Sequence, residues 1–537
     1  MRPNIILISA VCAAVLWLSA GTAGAGPDDG ILRLGVHVSK MGKLDPHFAA
    51  ATQDRALADM VFNGLLRYRP GNAPAIEPDL AVALPEFEMI AGRQVWTVTL
   101  RKGVLFHPGP DTPAYELTSD DVVFSLRKAA DKTASAYAGE YDGMRFEAVD
   151  RYTVRITPEK PLSTVLFLPK FTNYGGGFIV GRRAVEAMGL DGFGRHPVGT
   201  GPFVFERHVP GEKLSLKANG RYFRGRPRLG GVEIRFVPDG ETRAQDLIAG
   251  RLDVIIASGD TGWIDRMSQQ RDIVINPHGV GEITTVYLNT AMAPLDDVRV
   301  RRAIAYGLSK KELMTAMDAT FVGGAAYSPV PARLLPGGLT RQDAEQLGLV
   351  HDTDLAMARR LLDQAGFPDG FALTLVSSEK RLYQRYYAIL KQQLARIGIT
   401  CTLTPVPHSE WHRRIRSDPQ PIVIYAAWRP NSDVYLTRFF HSESIIVTGA
   451  KPDTNFSHYD GVDRLIEAAR LEIDPEKQIN LWVQAQIRIL ADMAAYPVMT
   501  TMQCYLRNKT VDYGHPLVST MALYPQFTEN TRFVPVP

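Results

Sequence analysis

The sequence predicts an α/β protein of mixed α+β type, built from more than one domain. Three observations carry that prediction. At 537 residues the chain is longer than one small hydrophobic core supports. Stretches that alternate every second residue give way to stretches of 3.6-residue periodicity in both halves of the chain. Hydrophobic residues make up 45 % and charged residues 22 %, without internal repeats or low-complexity tracts, as in folded globular proteins. No Pro/Gly/Ser run is long enough to mark a flexible joint.

The first 25 residues stand apart. Arg2 supplies a short basic start, residues 5–18 are mostly apolar, and Ala23-Gly-Ala25 has the small-x-small pattern of signal-peptidase cleavage. The apolar run falls short of the roughly 20 residues of a membrane span. Residues 1–25 are therefore expected to be a cleaved export signal, and the mature chain to be periplasmic. Cys12 follows Val11, where a lipoprotein signal needs a small residue, so no lipid anchor is expected. No later stretch is apolar enough to cross a membrane.

Loss of the leader leaves Cys401 and Cys504, for which one disulfide and two buried thiols are equally compatible readings. It also takes the formal charge from +3 to +2 by removing Arg2. With no long basic block, nucleic acid is not an expected partner.

The elements follow in order. Residues 31–38 alternate as a strand, Leu44-Asp-Pro-His47 breaks it, and residues 52–66 have helical spacing through Leu57, Met60, Val61 and Leu65. Residues 95–100 alternate again. Thr118-Ser-Asp-Asp121 fits a capping box ahead of an amphipathic helix over residues 122–130. Residues 146–156 and 214–218 return to strand alternation.

From Asp296 onward the chain is more helical. Residues 298–307, 355–364 and 386–397 have helical periodicity, with Gly366 and Gly398 placed as stops. Residues 371–376, 399–406 and 421–427 read as strands. Asp474-Pro-Glu476 starts a helix, the aspartate capping and the proline at its first position. The apolar stripe Ile479, Trp482, Val483, Ile489 and Leu490 is core packing.

Several short segments then matter for their order. They are Asp45-Pro46, Phe62-Asn-Gly-Leu-Leu66, Ser119-Asp-Asp-Val-Val-Phe124 and His196-Pro-Val-Gly-Thr-Gly-Pro-Phe-Val-Phe205. Next come Arg221-Tyr-Phe-Arg-Gly-Arg-Pro227, Gly250-Arg-Leu-Asp-Val254, Tyr287-Leu-Asn-Thr290 and Leu295-Asp-Asp-Val-Arg-Val-Arg-Arg-Ala303. Trp428 and Thr454-Asn-Phe-Ser-His-Tyr459 close the series. The ordered set spans the mature chain and resembles the solute-binding proteins of the dipeptide/oligopeptide (family 5) class of ABC transporters.

That resemblance implies a two-lobed periplasmic-binding-protein-like fold of class II type. It implies a first lobe over residues 26–285 with an extra subdomain at about 75–200. The second lobe would cover residues 286–503, and residues 504–537 would return to the first. Two hinge-crossing strands are expected near residues 286–290 and 502–507. The implied function is capture of a peptide or peptide-like solute and its delivery to a membrane ABC permease. The chain would act as a monomer, without cofactor, metal or catalysis.

The same resemblance nominates site residues. Trp428-Arg-Pro-Asn-Ser-Asp433 resembles the loop that sets an aromatic ring and an acid over the ligand. Peptide-binding members carry an aspartate three residues after the tryptophan, for the ligand's ammonium. Here that position is Asn431, which cannot neutralise a buried charge. Either Asp433 takes over or the cargo is not an ordinary free-amine peptide. Arg381 lies near the position of a carboxylate-binding arginine, and Arg429 is a second candidate. Tyr287, Asn289 and Thr290 would face the cleft from a crossing strand, and Thr52 and Gln53 from a loop. For Arg381, whose alignment needs a gap, a solvated surface role is the favoured reading; for Asp433, Tyr287, Asn289, Thr290, Thr52 and Gln53 a capping or core role is equally open.

Other classes find less support. There is no Gly-x-Ser-x-Gly elbow and no His-Glu-x-x-His helix, so a secreted hydrolase lacks its motifs. Gly199-Thr-Gly-Pro202 has no following lysine and reads as a backbone turn. His408 and His412 are one helical turn apart without an evident third metal ligand. Metal chelates, haem, opines and sugar-derived solutes remain alternative cargoes, because fold does not settle ligand.

Overall fold

The computed structural model describes residues 30–259 and 262–535; the expected export signal at residues 1–25 lies outside the described residues. The frame is a nine-stranded sheet. Its spatial order runs Ile422–Ala427, Ile273–Leu288, Ala495–Asn508, Val254–Ile256, Ile31–Val36, Gly231–Phe236, Lys213–Ala218, Phe203–Val209, with Val322–Ala325 also on Ala495–Asn508.

Two strands hold this frame together. Ile273–Leu288 and Ala495–Asn508 pair antiparallel almost end to end. Their ladder runs from Ile273 opposite Asn508 to Gly279 opposite Met502, breaks, and resumes with Glu282 opposite Thr501. Gly281 takes the break with a φ of 70°, a conformation that a side chain resists. Thr501 Oγ1 donates to Glu282 Oε1 at 2.6 Å just beyond it.

The halves of the ladder serve different cores. One core gathers Leu32, Leu34, Trp96, Phe167, Phe203 and Ile234, together with Tyr513 and Phe527 from the end of the chain. The other gathers Val286, Ile304, Tyr387, Leu390, Trp411 and Trp482. The result is two lobes joined by two strands. The first passage lies at Gly279–Glu282, earlier than residues 286–290, because those residues are already inside the second core. Strand alternation cannot locate the passage, since one long strand is buried on both sides of it.

The first lobe carries a second sheet, four antiparallel strands in the order Glu86–Ile90, Arg93–Thr99, Thr153–Thr157, Arg145–Asp150. Trp96 stacks on Phe167 beneath it, with ring centroids 3.9 Å apart. The alternation over residues 146–156 resolves into two strands here, turned at Arg151 and Tyr152. Helix Ser119–Ala130 begins as its capping box predicts: Asp121 Oδ2 accepts from the Thr118 amide at 3.0 Å. Cys401 and Cys504 are both buried and free, in separate cores, so the disulfide reading does not hold.

Three buried histidines make stability depend on pH. His47, His107 and His278 are each held down to about 4, chiefly because burial disfavours the charged ring. His107 Nε2 lies 2.9 Å from the Gly201 carbonyl, consistent with a neutral ring donating to it. As pH falls below the unfolded value near 6.5, the unfolded chain protonates first. The histidine's stabilisation is thus full above pH 6.5 and lost on the way to pH 4. We expect His107→Gln to remove up to about 3 kcal/mol of the fall in unfolding free energy between those values. Denaturant titrations at both pH values check this, and identical slopes for wild type and variant would contradict it.

Candidate functional site between the lobes

Strand Ile422–Ala427 pairs with Ile273–Leu288, Ala427 lying opposite Ile283 next to the passage. The chain therefore leaves the second core at the mouth of the cleft, and the next residue is Trp428. Asn431 ends the loop by capping helix Ser432–Phe440, its Oδ1 accepting from the Val434 amide at 2.9 Å.

Two residues of the first lobe meet Trp428. Tyr174 approaches with ring centroids 5.6 Å apart. Arg55, in helix Thr52–Val61, lies 5.0 Å over the Tyr174 ring and 5.7 Å over the Trp428 ring. Beside them is a cavity of about 100 Å³, walled by Tyr68, Tyr137, Tyr141 and Tyr174 from one lobe and by Pro430 and Asn431 from the other. The wall bends tightly at Gly175-Gly176-Gly177. A Cβ on Gly176 would lie 2.6 Å from the Tyr141 ring, and one on Gly177 would lie 2.3 Å from the Thr172 carbonyl oxygen.

The lobes also touch behind the cavity. Ser163 Oγ donates to Gln478 Oε1 at 2.6 Å, both buried, and Tyr68 and Leu166 pack into the second lobe's core. The cleft is closed.

Its charges are unevenly satisfied. Lys170 and Glu140 pair at 2.6 Å on the cavity wall. Asp433 is held by Arg470 Nε at 3.2 Å from each carboxylate oxygen. Burial raises the Asp433 pKa, and the Arg470 guanidinium opposes that rise. Arg429 donates to the Trp428 carbonyl at 2.9 Å and to Thr454 Oγ1 at 3.4 Å, and covers the Phe439 ring at 4.8 Å. Among the described residues no carboxylate pairs with Arg55 or Arg429, and Arg55 Nε and Trp428 Nε1 are buried donors without partners.

The predicted site residues separate accordingly. Asn431 lines the cavity, Trp428 stands behind its rim against Tyr174, and Arg429 lies beside Trp428. Asp433 is engaged by Arg470 and does not supply a free acid. Tyr287 is a core residue, stacked on Phe439 at 5.2 Å, and its companions in the Tyr287-Leu-Asn-Thr290 segment are structural as well. Asn289 donates to the Gln420 carbonyl and Thr290 to the Ser457 carbonyl. These three were misplaced because the strand has left the cleft before reaching them.

Thr52 and Gln53 line a separate small crevice of about 10 Å³ with Val36, Ile256 and Tyr505. Arg381 opens helix Arg381–Ala395 as an exposed residue. His408 and His412 share helix His408–Ser417, with ring centroids 4.5 Å apart. Among the described residues, no group of three His, Cys, Asp or Glu could hold a metal.

Arg55, Tyr174 and the Lys170–Glu140 pair had escaped sequence reasoning. The signal for Tyr174 was the glycine triplet after it, which demands close backbone approach. For Arg55 it was its position one helical step past Thr52 and Gln53.

The Asp433–Arg470 pair leads to a stability prediction. Arg470→Met leaves a partly buried carboxylate without its cation and should cost about 2 kcal/mol, whereas Asp433→Asn should cost less. Denaturant unfolding compares them, and a larger loss for Asp433→Asn would contradict the assignment.

Two lobes, two crossing strands and a closed aromatic cavity between the lobes define a solute-binding protein of the periplasmic type. The chain belongs to the bacterial extracellular solute-binding proteins, family 5, whose model ("family 5 Middle") matches residues 75–445. It is thus a solute-binding component of an ABC importer.

The structure of MoaA from A. tumefaciens R10 in complex with mannopinic acid is 37 % identical, with a TM-score of 0.72 over 94 % of this chain and 99 % of that chain. Heme-binding protein A of Haemophilus influenzae is 27 % identical over 463 residues, covering 81 % of each chain. Glutathione-binding protein GsiB of Salmonella typhimurium is 26 % identical, covering 83 % of this chain and 85 % of the relative. Among the described residues no helix is long and apolar enough to cross a membrane.

Proposed function

We propose that the chain captures a small peptide-like solute of the opine or sugar-acid kind in the cavity beside Trp428 and presents it, chemically unchanged, to a membrane permease. One observation carries this reading: the ammonium-binding position is Asn431, and the nearby acid Asp433 is already neutralised by Arg470. A free-amine peptide would bury an ammonium with no carboxylate to meet it, at a cost of several kcal/mol. An opine joins an amino acid to a sugar-derived chain through a secondary ammonium flanked by its own α-carboxylate, so it brings that counter-charge with it, and its hydroxyl-bearing part suits a wall of tyrosines that can both stack and hydrogen-bond. The 37 % identity to a mannopinic-acid-binding protein supports the same class.

Hinge closure supplies the mechanism. Contacts from Tyr174 on one lobe and Trp428 on the other both require the closed state, so a ligand that engages both favours closure. The protein acts as a monomer outside the cytoplasm and performs no covalent step.

Calorimetry with mannopinic acid and with dialanine tests the reading. We expect mannopinic acid to bind and dialanine to bind at least about tenfold more weakly, the least that an unpaired buried ammonium implies. Tighter binding of dialanine would contradict it.

A further inference from the structure

We propose that Arg55 is the specificity-determining residue of the cleft: it selects a carboxylate-bearing cargo and ties its capture to closure, through one anion shared with Trp428. The proposal rests on the capture reading above and adds the charge class of the cargo.

Arg55 reaches across the boundary between the lobes. Its own helix belongs to the first lobe, yet its guanidinium covers an aromatic ring from each: Tyr174 at 5.0 Å and Trp428 at 5.7 Å. A guanidinium held over ring faces gives its N–H groups no acceptor there, and a carboxylate can meet such a fork with two parallel hydrogen bonds.

Those donors have no protein acceptor. No hydrogen bond or ion pair engages the Arg55 side chain among the described residues, and its buried Nε is without a partner. Each acid nearby is occupied elsewhere. Asp54 feels the Arg55 charge without pairing with it and accepts from the Gly42 amide, Asp59 accepts from Asn173, Glu140 from Lys170, and Asp433 from Arg470.

A second unmatched donor belongs to the ring that meets Arg55 from the other lobe. Trp428 Nε1 is likewise buried without a partner. Both donors lie against Tyr174, which lines the cavity, so one acceptor that arrives with the cargo can meet the two together. A carboxylate offers two oxygens, one to each lobe. Arg429, also free of any acid among the described residues, adds a second positive charge behind Trp428.

The experiment compares each acid with its amide. Calorimetry is run with mannopinic acid and with the same compound amidated at its carboxylates, on wild type, Arg55→Gln and Arg55→Lys, each first checked for a wild-type melting transition. Wild type should prefer the acid by about 10- to 100-fold, as charge-assisted hydrogen bonds imply. Arg55→Gln should reduce that preference to within a few-fold. Arg55→Lys, which keeps the charge and loses the fork, should fall between them.

An unchanged preference in Arg55→Gln overturns the proposal, as does equal binding of acid and amide by wild type. Both outcomes leave the capture reading standing. If wild type binds neither compound, the capture reading fails and this inference falls with it.

Discussion

Replacing Trp428 with alanine is expected to weaken binding of mannopinic acid by about 10- to 100-fold, the range typical of a central aromatic anchor. The ring is the second lobe's contribution to a contact that exists only when the cleft is closed, through Tyr174 at 5.6 Å and Arg55 at 5.7 Å. Its loss removes binding surface and the reason to close at once. Stability should change little, because Trp428 packs at the edge of the second core and not within it. Trp428→Phe keeps an aromatic plane but not the Nε1 donor, so it should fall between wild type and alanine. Calorimetry beside a denaturant titration separates the effects. Unchanged affinity, or a large loss of fold, would remove Trp428 from the site.

The largest stability effect is expected at Asp45. Its Oδ2 lies 2.7 Å from Lys128 Nζ, close but not aligned as a hydrogen bond, with both side chains at most 4 % exposed. Asp45 Oδ1 also accepts from the His47 amide at 3.0 Å, closing the turn that Leu44-Asp-Pro-His47 announces. Asp45→Ala leaves Lys128 buried with only the Ala134 carbonyl and a neutral His47 ring beside it. The expected cost is about 3–5 kcal/mol in chemical denaturation. Removing both charges, as Asp45→Ala with Lys128→Met, should recover most of it, because the penalty belongs to the stranded ammonium and not to the lost attraction. A double variant as unstable as the single one would contradict that account.

What was legible in the sequence follows from where the physics is local. Helices Val298–Gly307 and Leu355–Gln364 and strand Ile399–Val406 fall where apolar spacing put them. Gly366 and Gly398, both at a φ of 91°, are the stops a side chain would strain. Asp474 caps its helix, with Pro475 at the first position. These features depend on neighbours within a turn.

The crossing strands were less legible. Tyr287-Leu-Asn-Thr290 alternates as a strand should, but alternation cannot tell a cleft face from a second buried face. Tyr287 turned out to lie against Phe439 and Phe456.

Of the three side chains that meet where the lobes touch, one was legible in the sequence. Trp428 followed from a strand that had to end at the cleft and from the family resemblance of the loop after it. Arg55 and Tyr174 come from distant segments, and only the folded chain brings them together. The departure at Asn431 was visible in the sequence. The pairing that made it decisive, Arg470 on Asp433, was not.

The central claim is that the two lobes close on a solute and later release it unchanged. Small-angle scattering of solute-free protein, then of protein saturated with mannopinic acid, tests it most directly, with the solute recovered afterwards and its mass determined. The account predicts a smaller radius of gyration in the loaded protein and a recovered solute of unaltered mass. An identical profile in both states, or a solute returned with a different mass, would contradict it.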